Sequence, residues 1–115
     1  MTTPIHRLKA EFFKTLAHPA RIRVLELLRE REHTVGELLP IVGIEASHLS
    51  QQLGVLRRAG LVDTRRDGNS VVYSAHDPRI FELLAVAKEI IGSSLSYSAD
   101  LLQELDVAPA GGDGR

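Results

Sequence analysis

The sequence predicts a mainly α (α+β) fold: helix, helix, short helix, helix, β-hairpin, helix. Three observations carry that reading. Apolar residues recur at helical spacing along most of the chain. Helix-start and helix-stop residues fall between the periodic stretches. Near the middle, an Asp67-Gly68 step separates two alternating segments, as a tight hairpin turn would.

The first helix is expected over Ile5–Leu16, where Leu8, Phe12 and Leu16 recur every four residues and Phe13 widens the stripe. His18-Pro19 opens the second, since proline in a first turn loses no intrahelical bond. Ile22, Leu25 and Leu28 form its inner face. Thr34 and Glu37 have the spacing of a capping box, so a short helix runs from Val35 to about Ile41 and ends near Gly43. The fourth helix begins at Ala46 and is stopped by Gly60 after Ala59. Leu61–Arg66 and Ser70–Ala75 alternate as strands, and Asp67-Gly68 is expected to make a type I′ turn. Asp77-Pro78 caps the last helix, whose apolar positions include Ile80, Leu83, Leu84, Ala87, Ile90, Ile91, Leu95, Leu101, Leu102 and Leu105. Gly92-Ser93-Ser94 is a candidate kink.

At 115 residues and 43% hydrophobic composition the chain supports one compact domain with a modest core. The domain is expected over residues 1–105, with terminal helices that dimerise and a disordered tail at 106–115. A chain this small leaves apolar surface for a partner to cover. The absence of cysteine excludes disulfides, thiolate metal sites and thiol catalysis. No apolar run is long enough for a membrane span and no signal peptide is visible, so a cytoplasmic protein with no membrane partner is expected. The net charge of −1 is unevenly spread. Residues 6–31 carry seven Lys/Arg against three acids, and 77–115 carry three against seven. A partner responds to that distribution as well as to the sum.

On a helical wheel of Ala46–Arg58, Leu49, Leu53 and Leu56 share one face. Ser47, Gln51, Gly54 and Arg58 lie opposite, flanked by His48, Ser50, Gln52 and Arg57. Short hydrogen-bonding groups at the helix start and arginines at its end suit a helix entering the DNA major groove. Gly54 costs about 1 kcal/mol relative to alanine in mid-helix, which close approach of DNA or tight packing on the preceding helix would offset. Arg65, Arg66, Asn69 and Ser70 cluster at the hairpin tip and suit phosphate or minor-groove contacts. A short capped helix, a tight turn, a polar-faced helix and a basic hairpin together describe a winged helix-turn-helix.

Three segments resemble the ArsR/SmtB transcriptional regulators: Phe13–Leu28 (FKTLAHPARIRVLELL), Ser47–Val62 (SHLSQQLGVLRRAGLV) and Arg65–Tyr73 (RRDGNSVVY). The resemblance spans about Leu8–Leu102. It implies a homodimer formed by the first and last helices, repression at a palindromic operator in double-stranded DNA, and release by an inducer. Ser47, Ser50, Gln51 and Gln52 fall on the family's base-reading positions with His48 beside them. Arg65, Arg66 and Asn69 fall on its wing. With Thr34, Arg57 and Ser70 these residues make up the candidate DNA-binding set. The candidate dimer interface is Leu8, Phe12, Leu16, Leu84, Ile91, Leu95 and Leu102.

The sequence departs from the family at its metal sites. Thr34–Leu39 holds no thiol where many members place a cysteine pair. His76 and Asp77 stand at the start of the last helix, but no histidine follows them. Glu82 and Glu89 alone suit zinc or nickel poorly, as these ions favour nitrogen and sulfur ligands. No metal site or cofactor is expected, and the inducer is not readable. The five histidines (His6, His18, His33, His48 and His76) show no ligand spacing along one helix. His18 is expected to cap the second helix and His33 to lie in a loop. His6 with His76 of the partner subunit would make an unfamiliar site that lacks a third strong ligand. Asp63, Asp67, Glu82 and Glu89 are scattered as on a solvated surface, and no phosphate loop or nucleophile elbow appears, so no enzyme is expected. A metal-independent dimeric repressor is the leading expectation. The alternatives are a small-molecule sensor around Phe12, Phe13, Phe81 and Tyr97, and a protein-interaction module on the same fold.

Overall fold

The structure is a computed structural model that describes residues 4–104, with side chains through Leu95. The expected tail at 106–115, Leu105, and the side chains of Tyr97, Leu101 and Leu102 lie outside the described residues. The elements are α1 (Ile5–Leu16), α2 (Pro19–Glu30), β1 (His33–Thr34), α3 (Val35–Val42), α4 (Ala46–Arg58), β2 (Val62–Asp67), β3 (Ser70–Ala75) and α5 (Arg79–Glu104). Two compact units divide inside α5, between Phe81 and Glu82.

The core of the first unit is built from the apolar faces of α2, α3 and α4. Val24, Leu25, Leu38, Leu49, Leu53 and Leu56 are its fully buried side chains. Leu49, Leu53 and Leu56 are the stripe that the helical spacing placed on one face of α4. His18 caps α2 by accepting a hydrogen bond from the Ala20 N–H at its Nδ1 (3.2 Å). The Thr34 hydroxyl accepts from the Glu37 N–H (3.2 Å), and the Glu37 carboxylate accepts from the Thr34 N–H (2.9 Å), completing the capping box.

The three strands form one antiparallel sheet in the order β1-β3-β2. β1 escaped the sequence reading because two residues are too few for a period-two pattern. His33 therefore lies in a strand opposite Tyr73 and not in a loop. It is buried, and its Nδ1 donates to the Arg31 carbonyl (2.8 Å). The hairpin turn falls one residue later than expected. Asp67 and Ser70 pair, so Gly68 and Asn69 connect the strands, with Gly68 at φ +64°. Ladder bonds extend to Asp67, which cannot then serve as a turn residue.

Leu16 is buried, unlike the neighbouring apolar residues of α1. Leu8 is exposed and Phe12 half-buried on the same helix. α5 runs without a break through Gly92, so no helix end falls at Gly92-Ser93-Ser94. Along it Leu84 is half-buried, and Ile90, Ile91 and Leu95 are exposed. Among the described residues no helix is long and apolar enough to cross a membrane.

Candidate nucleic-acid interface

α3 and α4 are joined by three residues, Gly43-Ile44-Glu45. Gly43 takes φ +77° and donates its N–H to the Leu39 carbonyl (3.0 Å), ending α3 and turning the chain sharply. α4 closes with a paired terminus. The Gly60 N–H donates to the Arg57 carbonyl and the Leu61 N–H to the Leu56 carbonyl, both at 3.0 Å. Gly60 has φ +78°, the left-handed conformation that its position after Ala59 predicted. The helix-turn-helix is thus shaped by Gly43 in its turn, by Gly60 after α4 and by the leucines along α4.

The opposite face of α4 is open. Ser47, His48, Ser50, Gln51, Arg57 and Arg58 are exposed. Gln52 is not among them. It is 6% exposed, and its Oε1 accepts a 2.6 Å hydrogen bond from Arg21 Nε. That placement corrects the expectation of Gln52 on the reading face: its side chain turns toward α2, where a buried carbonyl oxygen needs a donor. Arg21 also donates from Nη1 to the Thr15 carbonyl (3.0 Å), so one guanidinium ties the end of α1 to α4. The pairing is not visible in the sequence, because Arg21 and Gln52 stand thirty-one positions apart.

A polar cleft runs between α2 and α4, lined by Arg21, Ser50, Gln51, Gln52, Gly54, Val55 and Arg58. Gly54 faces a specific neighbour: a Cβ there would stand 3.1 Å from Nη1 of Arg58. The space glycine leaves is occupied by the Arg58 guanidinium and not by the preceding helix. His48, at the start of α4, lies edge-on to His18, with ring centroids 5.8 Å apart and planes at 80°. Spacing along a single helix cannot show that pair. Among the described residues no three or more His, Cys, Asp or Glu side chains are placed to hold a metal ion.

Arg65, Arg66, Asn69 and Ser70 are all exposed on the hairpin. The two arginines differ. Arg65 Nη2 is 2.6 Å from Glu32 Oε1, and this hydrogen bond raises the Arg65 pKa above its ordinary value. Among the described residues no ion pair engages Arg66. At the base of the hairpin His76 Nδ1 is 2.9 Å from Asp63 Oδ2, and that hydrogen bond raises the His76 pKa. Asp77 caps α5 by accepting from the Arg79 N–H (2.9 Å). The Arg79 guanidinium and N–H together lower the Asp77 pKa to about 2. Thr34 is half-buried, with its hydroxyl oxygen engaged in the capping box. Phe12 and Phe13 meet edge to face at 5.5 Å.

Comparison with known proteins gives a consistent picture. A model of the arsR family of bacterial regulatory proteins matches residues 18–64, the segment from the cap of α2 into β2. An uncharacterized HTH-type transcriptional regulator of Mycobacterium tuberculosis, Rv0081, is 62% identical over 103 residues, covering 89% of this chain and 90% of the relative. Its crystal structure superposes with a TM-score of 0.79 at 63% identity, over 85% of this chain and 99% of that one. The biofilm growth-associated repressor of Agrobacterium fabrum is 45% identical over 75 residues, 65% of this chain and 64% of the repressor. A homodimeric winged helix-turn-helix DNA-binding domain from Mycobacterium bovis, described as a possible ArsR-family regulator, gives a TM-score of 0.71 at 26% identity, covering 81% and 86% of the two chains.

Proposed function

The chain belongs to the ArsR family of bacterial regulatory proteins and is a DNA-binding transcriptional regulator, not an enzyme; on that premise we propose that it is a cytoplasmic homodimeric repressor which reads a palindromic operator with α4. The observation that carries the proposal is the division of α4 into two faces. Leu49, Leu53 and Leu56 are locked into the core while Ser47, His48, Ser50 and Gln51 stand open at the helix start. A helix fixed from behind can present short donors and acceptors to base edges without reorganising. Gln51 is the longest neutral reader of this group and can pair with an adenine edge through both its amide atoms. Arg57, Arg66, Asn69 and Ser70 serve the phosphates on either side, and Thr34 retains a hydroxyl proton to donate to another.

The repressor reading draws on the A. fabrum relative, and the homodimer on the M. bovis domain. The exposed apolar residues of α1 and α5, among them Leu8, Ile91 and Leu95, are the surfaces a second copy covers. Two α4 helices in such a dimer meet successive major grooves about 34 Å apart. No step of this scheme uses a metal ion.

The test is a binding competition on duplex DNA from the region upstream of the protein's own gene. Wild type prefers one segment over scrambled duplexes, and Gln51→Ala reduces that preference by about 1–3 kcal/mol of discrimination. Unchanged preference in the variant would remove Gln51 from the reading face. No retardation by wild type at low salt would overturn the DNA reading of this surface.

A further inference from the structure

We infer that the cleft between α2 and α4 is a phosphate-binding site, formed by Arg21, Gln52 and Arg58 and bordered by the base-reading residues Ser50 and Gln51. Every charged residue lining it is basic, Arg21 on one wall and Arg58 on the other. The orientation of the Gln52 amide follows from chemistry. A guanidinium only donates, so the atom 2.6 Å from Arg21 Nε must be the carbonyl oxygen, and the NH2 group lies on the other side. Among the described residues that NH2 group has no partner, although Gln52 is 6% exposed. A donor pair this buried ordinarily meets an acceptor. Among the described residues no acceptor of the protein meets it, and the two charged groups of the cleft that Gln52 lines, the guanidiniums of Arg21 and Arg58, can only donate.

Gly54 completes the case. Its missing Cβ leaves the place where Arg58 Nη1 sits, one turn back along α4 at the cleft. An alanine would favour the helix, yet its methyl at 3.1 Å would push the guanidinium outward. A tetrahedral oxyanion satisfies this arrangement, because its several acceptor oxygens can meet Arg21, Arg58 and the Gln52 amide together. Two sources supply that chemistry, a phosphodiester of the DNA backbone and free inorganic phosphate. The first rests on the DNA reading of α4 proposed above; the second does not.

Three substitutions test the site. Gln52→Glu keeps the shape and the Arg21 contact but places a carboxylate where the donor amide was. Arg58→Ala removes one cation from the wall. Duplex affinity is measured against salt for each, and phosphate is titrated at matched ionic strength while the Nε–H resonances of Arg21 and Arg58 are followed by NMR. Each variant is expected to weaken duplex binding about tenfold, equally on preferred and scrambled sequences, and to reduce the salt slope by about one. Gly54→Ala is expected to raise Tm while weakening the same binding, a combination that structural damage does not produce. Loss of duplex affinity without phosphate-dependent resonance shifts assigns the site to the DNA backbone. Resonance shifts that compete with the duplex, or occur with no effect on it, assign it to free phosphate. If neither duplex affinity nor the resonances respond, the inference is overturned. Should wild type bind no duplex, the DNA reading fails and the phosphate titration alone decides the cleft.

Discussion

The two wing arginines are adjacent in sequence but not equivalent, and substitution of Glu32 exposes the difference. Arg65 Nη2 holds Glu32 Oε1 at 2.6 Å, so in the proposed scheme a DNA phosphate competes with a carboxylate for that guanidinium. Side-chain exposure of 55% for Arg65 and 49% for Glu32 places the pair in high-dielectric surroundings. Such pairs are worth little, which caps the gain from releasing Arg65 at about fivefold in DNA affinity at low salt. Glu32→Gln is therefore expected to tighten binding by two- to fivefold, by the estimate for exposed pairs, and to steepen the salt dependence. Removing any acid raises the local potential, so Glu26→Gln is the control. Glu26 is exposed on α2 and in no ion pair among the described residues. Fluorescence anisotropy on one duplex over a salt series measures both quantities. The same logic orders the arginine variants: Arg66→Ala weakens binding more than Arg65→Ala in wild type, and the two become alike in the Glu32→Gln background. If Glu26→Gln tightens binding as much as Glu32→Gln, or if the two arginine variants are already equal in wild type, the pair does not compete with DNA and the reasoning fails.

Thr34→Ala removes the hydroxyl that caps α3 and is expected to cost about 1 kcal/mol in urea unfolding with an unchanged m-value; a loss below a few tenths would show the cap to be idle. The His76–Asp63 pair makes stability depend on pH, since a raised folded-state pKa gives a contribution that is complete below the ordinary value of 6.5 and disappears as pH rises through the folded value. Between pH 6 and 8.5, as a range about the ordinary histidine pKa, wild type should lose more stability than Asp63→Asn, and parallel urea midpoints for the two would refute the linkage. Asp77 acts in the opposite sense: lowered from 3.8 to about 2, it stabilises above its unfolded value, and that contribution is lost as acid approaches about pH 2.

What the sequence made legible followed from local chemistry. The Thr34–Glu37 box, the His18 cap and the Gly60 stop each depend on residues within a few positions of one another, and each is present. The leucine face of α4 came from periodicity alone. Features of two kinds were hidden. β1 has two residues and makes sense only opposite Tyr73 and Val72 of β3. Pairings across the fold, Arg21 with Gln52 and Arg65 with Glu32, join positions whose separation carries no pattern. Gln52 shows how that changes a functional assignment. On a wheel it flanks the polar face, but a wheel has no neighbours, and the guanidinium of α2 draws the side chain inward.

The loss of Gln52 from the reading face has a geometric consequence. The open residues at the start of α4 are Ser47, His48, Ser50 and Gln51, two of them serines. A serine hydroxyl extends only one bond beyond Cβ, so reading with it requires the helix to lie deep in the groove. Depth is set by what the protein touches on either side, since phosphate contacts fix register and orientation while carrying no sequence information. In the proposed scheme the wing is one such flank, with Arg66 in no ion pair among the described residues. The cleft between α2 and α4 supplies the other, with Arg21 braced by Thr15 and Gln52. Substitutions at either flank should therefore lower affinity before they alter preference. A variant that tilts α4, by contrast, should lose the serine contacts first and keep those of the longer Gln51.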